Sequence, residues 1–391
     1  MKIVVALSRF PYPTDKGDKL RAYHQIRDLS QKHEIFLVCL THSMPEEKDL
    51  NHVRAFCKEL IIIHRSLPAR FFSLLAGIFS AQPFQVHFFR SSKMKKAIER
   101  IIKEHQIDIC YVQLIRLIEN IPFDLNVKYY LDFMDAFSAG MNKRVSLSRW
   151  YERFMISIEA KRLKHYEKRA FDLFNGYSII SKADGEALGD TGRLDILING
   201  VNEKFLQCDP VEKKEYDVIF TGNMGYHPNI QACKYLVKEV LPELRKSGTS
   251  VKICLAGTSP SQEVLSLQSK DVVVTGYVED ITVFLAKSKI FVAPLFSGSG
   301  LQNKLLESMA VGLPSITTPL ANKALMACPD KEILIANNKK EFADKIQRLL
   351  KDSSEADAIG KCGRSFIANN YQWSETNKKL EGAFEKLIKE T

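Results

Sequence analysis

A chain of 391 residues that is 45% hydrophobic, 10% aromatic and 26% charged is globular, too long for one compact core and about right for two, which excludes disorder, collagen and coiled coil. Its formal charge of +10 makes an anionic partner the first question, whether nucleic acid, membrane surface or a phosphorylated small molecule. The surplus is local: residues 1–200 hold 31 Lys+Arg against 23 Asp+Glu, residues 201–391 hold 25 against 23, and residues 51–100 alone carry 9 against 2.

The N-terminal MKIVVALSRF has too short an apolar run between Lys2 and Arg9 for a signal peptide. No uninterrupted run reaches the ~18 residues of a spanning helix, so a cytoplasmic chain is expected. Residues 3–7 read as a strand, followed after a Pro-rich loop by helical spacing over 20–31 and a second apolar run at 35–40. Similar runs recur at 60–64, 109–113, 129–133 and 177–180, while 149–174 reads as a long charged helix rich in i,i+4 pairs. A polar stretch at 202–216, with Pro210 and a Lys/Glu cluster, reads as a linker. A second series then opens at 218–221 and continues at 252–256, 272–275, 290–294, 315–317 and 333–335, and 373–389 reads as a closing helix. The pattern predicts an α/β chain of two doubly wound parallel-sheet domains, 1–201 and 217–374. Such sheets bind ligands outside the carboxyl ends of their strands, so two facing sheets imply a site in the cleft between them. The eight cysteines form no Cys-x-x-Cys pair and the nine histidines no ligand spacing, which predicts reduced thiols and no structural zinc.

The segment 291–314 is the most informative. A strand ending at Pro294 runs through Phe296-Ser297-Gly298-Ser299-Gly300 into a helix expected over 301–311, stopped by Gly312 and Pro314. Glycines there admit a phosphate close to the backbone, and the first helix amides point at it with the dipole behind them. Lys304, one turn in, reaches the same anion, and Glu307 on the same face suits two vicinal ribose hydroxyls. The alternative is an ordinary turn with a solvated i,i+3 pair.

The string Gly-x-Gly-x-x-x-Lys-x-x-Glu-x-x-Ala-x-Gly-x-Pro resembles the donor-site signature of glycosyltransferase family 4, retaining enzymes of the GT-B fold that use nucleotide sugars. The resemblance spans nearly the whole chain. Asn199-Gly200-Val201 resembles the family's domain-junction motif, Phe220-Thr221-Gly222-Asn223-Met224 with Pro228-Asn229 its first donor-domain loop, and Thr275-Gly276-Tyr277-Val278-Glu279-Asp280 its base-binding turn. The N-terminal FPYPTDKGDKLR is similar to sugar transferases associated with bacterial exopolysaccharide and exosortase systems. This resemblance implies two Rossmann-like domains facing each other across a cleft. The first would bind the acceptor, the second the nucleotide-sugar donor, and a helix at 375–391 would cross back to the first.

Carried over residue by residue, the resemblance implies that Gly298, Ser299, Gly300 and Leu301 offer amides to the diphosphate, with Ser297, Gly222 and Asn223 around it. Lys304 would neutralise the diphosphate, Glu307 hold the ribose, and Tyr277 and Val278 border the base. Gly17 would bring first-domain backbone to the donor. Asp132 or Asp135 would face the transferred sugar, with Asp135 preferred as the residue beyond the strand. Three positions depart from the family: Ser299 stands where many members have Glu, and Asn223 and Asn229 stand where many have Arg and Lys. Retention without a carboxylate nucleophile implies front-face displacement. The chain contains no Asp-x-Asp motif, and neither a metal nor another cofactor is expected beyond the nucleotide-diphosphate sugar substrate.

Residues 71–90 alternate aromatics and aliphatics and are followed by Lys93, Lys95, Lys96 and Arg100. They read either as an interfacial segment on an anionic membrane, within 70–100, or as helices buried on the first sheet. The cations of 149–174 read as a solvated face. An epimerase or phosphorylase on the same fold, or a degenerate partner subunit, are the competing functions. Nucleic acid is disfavoured by the locality of the charge, and a dinucleotide oxidoreductase by the absence of Gly-x-Gly-x-x-Gly after the first strand.

Overall fold

The computed structural model describes residues 1–65, 77, 80–148, 150–189, 192–209, 211, 213–298 and 300–390. They form two compact units, one of 1–199 with 373–391 and one of 200–372. The chain passes from one to the other after Asn199 and returns after Gln372.

The first unit is built on seven parallel strands: β1 (Lys2–Leu7), β2 (Glu34–Thr41), β3 (Glu59–His64), β4 (Ile109–Gln113), β5 (Lys128–Asp132), β6 (Gly176–Ile179) and β7 (Leu194–Ile196), in the order 3-2-1-4-5-6-7. β1 lies inside the sheet, and Ile3, Val4, Val5 and Ala6 are fully buried. That explains why its sequence is a continuous apolar run instead of an alternating one. Val4 and Ala6 face one core, with Val86, Met94, Ile98 and Leu163. Ile3, Val5 and Leu7 face the other, with Ala22, Ile26, Leu380 and Phe384. The closing helix Trp373–Lys389 therefore belongs to the first unit: Phe384 lies 5.0 Å from the Tyr130 ring and 5.7 Å from the Tyr111 ring.

The aromatic segment sorts itself by burial. Phe84–Phe89 is a short helix with Val86, His87 and Phe89 buried. The next helix, Ser92–His105, is capped by Ser91 Oγ accepting from the Met94 amide, buries Met94, Ile98, Ile101 and Ile102, and leaves Lys93, Lys95 and Lys96 exposed. Over 84–89 the interfacial reading thus gives way to the buried one, because the β-carbon face that would enter lipid is already used by the core. Residues 70–76, 78 and 79 of that reading lie outside the described residues. The charged helix is Trp150–Leu173, with Arg153, Lys161, Lys164, Lys168 and Arg169 exposed; Arg149 lies outside the described residues.

The second unit has six parallel strands, β8 (Tyr216–Thr221), β9 (Ile253–Ala256), β10 (Val272–Gly276), β11 (Ser288–Ala293), β12 (Ser315–Thr317) and β13 (Leu334–Ile335), in the order 10-9-8-11-12-13. The stretch expected as a linker belongs to this unit. The Val201 amide donates to Tyr371 O at 2.8 Å, Glu203–Leu206 is a helical turn with Phe205 buried, and Lys214 Nζ donates to Ala286 O at 2.6 Å. Among the described residues no helix is long and apolar enough to cross a membrane.

Candidate functional site

The second sheet reverses its direction of growth between β8 and β11, so the segments leaving their carboxyl ends diverge and open a crevice. Both segments are glycine-bearing. After β8 the chain continues Gly222-Asn223-Met224 into the helix His227–Tyr235; after β11 it continues Pro294 to Gln302 into the helix Asn303–Ala310. Gly222 (φ 148°), Gly298 (φ 115°) and Gly300 (φ 75°) hold backbone angles that side chains resist. At Gly222 the space is also needed: a β-carbon would stand 2.8 Å from Asn229 Nδ2 and 3.2 Å from Lys304 Cε.

Lys304 is the centre of this arrangement. Its Nζ donates to Asn229 Oδ1 at 2.7 Å and to Gln302 Oε1 at 3.4 Å, and stands 5.5 Å from the Phe220 ring centroid. Asn229 is itself buried and oriented by donating Nδ2 to Asn223 O at 2.8 Å. The ammonium is thus held by amide oxygens, with no ion-pair partner among the described residues. Desolvation lowers it to about 8, against the pull of Glu307 and Cys233. Glu307, one turn on, is raised to about 7 by desolvation, against Lys304 and Lys204. Both side chains keep some solvent contact. No backbone acceptor among the described residues takes the amides of Gly298, Gly300 or Leu301. The helix begins at Asn303, two residues later than expected, with Gln302 extended as its N-cap.

The structure thus brings Gly222, Asn223, Ser297, Gly298, Gly300, Leu301, Lys304 and Glu307 to one edge of the second unit; Ser299 lies outside the described residues. Tyr277 and Val278 follow β10 on the same edge, with Tyr277 73% exposed. Gly257 was not anticipated. Its β-carbon would fall 1.8 Å from Gly222 O, so the ends of β9 and β8 approach too closely for any side chain. The signal was present, a glycine directly after a buried strand, as at Gly222.

Gly17, Asp132 and Asp135 belong to the first unit. Gly17 is the exposed first residue of the helix Gly17–Leu29. Asp132 is not available to a sugar. It is fully buried, with Oδ2 accepting from Arg21 Nε at 2.5 Å and Tyr111 Oη at 2.9 Å, and Oδ1 from Arg21 Nη2 at 3.2 Å and Ser178 Oγ at 3.1 Å. The last strand residue points its side chain into the sheet–helix interface, where Arg21 meets it. Arg21 also donates to Leu197 O and Asn199 Oδ1, which ties the Asn-Gly-Val motif to the first unit. Asp135, beyond the strand, keeps solvent contact, and desolvation, then the charge of Asp184, push its carboxyl up to about 6 against the pull of Arg21. Among the described residues no group of three or more His, Cys, Asp or Glu is placed to hold a metal ion.

Residues 215–352 match the glycosyl transferases group 1 family. An uncharacterized 44.6 kDa protein in the cps region of Klebsiella pneumoniae is 22% identical over 388 residues, covering 95% of this chain and 96% of that one. The capsular polysaccharide biosynthesis glycosyltransferase CapM of Staphylococcus aureus is 26% identical over 216 residues, which is 49% of this chain and 54% of CapM. Among solved structures, sucrose-phosphate synthase of Thermosynechococcus elongatus gives a TM-score of 0.71 at 12% identity over 100% of both chains. Anabaena HepE in complex with UDP gives 0.66 at 12% identity over 99% of this chain and 100% of that one. The chain has the GT-B fold of two parallel-sheet, Rossmann-like domains, and it is a glycosyltransferase.

Proposed function

We propose that the protein moves a sugar from a nucleoside-diphosphate sugar to a saccharide or lipid-linked acceptor of bacterial cell-surface polysaccharide, with retention of configuration and without a metal ion. Lys304 carries this reading: an ammonium fixed between two glycine-bearing loops, held by neutral oxygens and without a carboxylate partner among the described residues. The glycosyl transferases group 1 match, CapM's part in capsular polysaccharide biosynthesis and HepE's complex with UDP support the reaction, the setting and the ligand class.

In this reading the amides of Gly298, Ser299, Gly300 and Leu301 and the Lys304 ammonium receive the diphosphate, beside Gly222, Asn223 and Ser297. Glu307 accepts from the ribose hydroxyls, and Tyr277 and Val278 border the base. The first unit takes the acceptor, with Gly17 and Asp135 on its carboxyl edge. As the glycosidic bond to phosphate breaks, negative charge grows on the leaving oxygen, which takes the acceptor hydroxyl proton on the same face. Fixed donors aimed at that charge lower the barrier, and losing one costs about 3 kcal/mol, or two to three orders of magnitude in turnover.

The test is thermal stabilisation by a panel of nucleoside diphosphates, since a ligand that binds only the native state raises its melting temperature. Wild type is expected to respond and Lys304→Ala to lose most of the response; a wild type indifferent to every diphosphate would overturn the reading. Labelled donor then separates transfer from the neighbouring reactions, because release of free sugar, or consumption of inorganic phosphate, would indicate an epimerase or a phosphorylase instead.

A further inference from the structure

The first sheet also reverses its growth, between β1 and β4, and a second charged cluster sits at the carboxyl ends of those strands. Arg116, in the 3-10 turn Ile115–Asn120 that follows β4, is almost wholly buried. One face of its guanidinium lies 4.3 Å from the Phe89 ring centroid. Its Nε and Nη2 donate to Ser8 Oγ at 3.1 and 2.7 Å, and Nη2 also donates to Asp18 Oδ2 at 3.0 Å. Arg9 Nη1 donates to that same carboxylate oxygen at 2.7 Å. One carboxylate thus serves two guanidinium groups. Desolvation, then the charge of Arg9, lowers Arg116 to about 10 against the pull of Asp18. Arg116 Nη1 has no hydrogen-bond acceptor among the described residues and is not sealed from solvent, and Arg9 is partly exposed.

The backbone is bent to build this edge. Leu114, directly before the turn, has φ 74°, and Met134, two residues beyond β5, has φ 61°. Each such residue costs about 1–3 kcal/mol and persists where the surroundings impose it, which is common at binding sites. Leu114, Met134 and Ile180 form a small apolar cluster of their own, with Phe137 against it. The edge therefore combines a buried apolar cluster with an under-neutralised arginine pair.

We propose that Arg9 and Arg116, set by Ser8 and Asp18, form a subsite for an oxyanion carried by the acceptor, a carboxylate or a phosphate. The proposal rests on the reading that the first unit takes the acceptor. With Nε and Nη2 engaged by Ser8 and Asp18, the N–H groups of Arg116 Nη1 are left to donate to an oxyanion, beside the partly exposed Arg9.

Transfer is measured to three matched acceptors: a neutral saccharide, its uronic acid and its phosphorylated form. Wild type is expected to favour one acidic form through KM, and which one identifies the anion. In Arg9→Gln, a substitution at a partly exposed site, the acidic-to-neutral preference is expected to fall about tenfold to a hundredfold, the range for a lost charge-assisted hydrogen bond. Equal KM for all three in wild type, or an Arg9→Gln effect confined to donor KM, would overturn the proposal. Inorganic phosphate and glucuronate binding, followed by calorimetry, gives the second arm. Binding weakened by Arg9→Gln and Arg116→Met but not by Lys304→Ala supports the subsite, and loss only in Lys304→Ala overturns it. Failure of the donor reading shows separately, as absence of nucleotide binding in wild type.

Discussion

On the proposed donor site, Lys304 and Glu307 would set opposite limits on the pH at which a nucleoside diphosphate is held. In that reading the charged ammonium binds the diphosphate, so the ligand would raise the Lys304 pKa from about 8, and affinity would fall as pH rises through that value. In the same reading ionised Glu307 accepts from the ribose, so the ligand would lower its pKa from about 7, and affinity would fall as pH drops through that value. The dissociation constant of a nucleoside diphosphate, measured by calorimetry from pH 5.5 to about 9.5, is expected to be smallest between about 7 and 8. Lys304→Ala should remove the alkaline limb alone, and a wild-type profile flat across this range would contradict the assignment. Asp132 serves stability instead. Removing one partner of a buried ion pair leaves a bare charge, so Asp132→Asn or Arg21→Met is expected to destabilise the fold by ~3–5 kcal/mol in urea unfolding, and an unchanged midpoint would refute the pairing. The Lys304–Glu307 relation was legible because three residues of helix join them. Arg21 and Asp132 stand 111 residues apart, and nothing local in either segment announces the other.

The close meeting of β8 and β9 is a property of two elements. Gly257 (φ 151°) has no room for a methyl group, whereas Gly382, in the closing helix, has nothing within 4 Å of where one would go. Gly257→Ala is expected to destabilise by more than about 1 kcal/mol and to weaken diphosphate binding, since Gly222 must move with it. Gly382→Ala is expected to stabilise by up to about 1 kcal/mol, through helix propensity alone. Melting temperatures of the two variants decide it: equal shifts would mean that the strand ends can part freely. The same elements show what sequence reveals. Strands buried on both faces are legible as apolar runs, and β8 to β13 fall within about two residues of the runs that predicted them. β7 (Leu194–Ile196) was missed because three residues, one of them Asp195, give no period to detect. Helix Phe84–Phe89 was ambiguous because burial in lipid and burial in a core select the same side chains.

For the molecule as a whole, the question is what the surplus charge on residues 51–100 does. The proposed diphosphate site does not need it, since the residues assigned to that site, Lys304 and the amides around it, lie in the second unit. Lys93, Lys95 and Lys96 project from a helix whose other face is committed to the core, and the neighbouring aromatics of 84–89 are committed too. Any attraction to an anionic bilayer through these lysines is therefore electrostatic, without insertion of those rings. Such binding is screened over about 10 Å at 0.1 M salt and over about 3 Å at 1 M. At about 1 kcal/mol per cation near the surface, replacing all three by Gln is expected to weaken binding to phosphatidylserine vesicles by roughly two orders of magnitude in low salt. Diphosphate affinity should stay unchanged. Vesicle flotation at two salt concentrations reads both terms: binding that survives 1 M salt would mean that apolar side chains enter the bilayer, and binding unchanged by the triple substitution would make these lysines an ordinary solvated face.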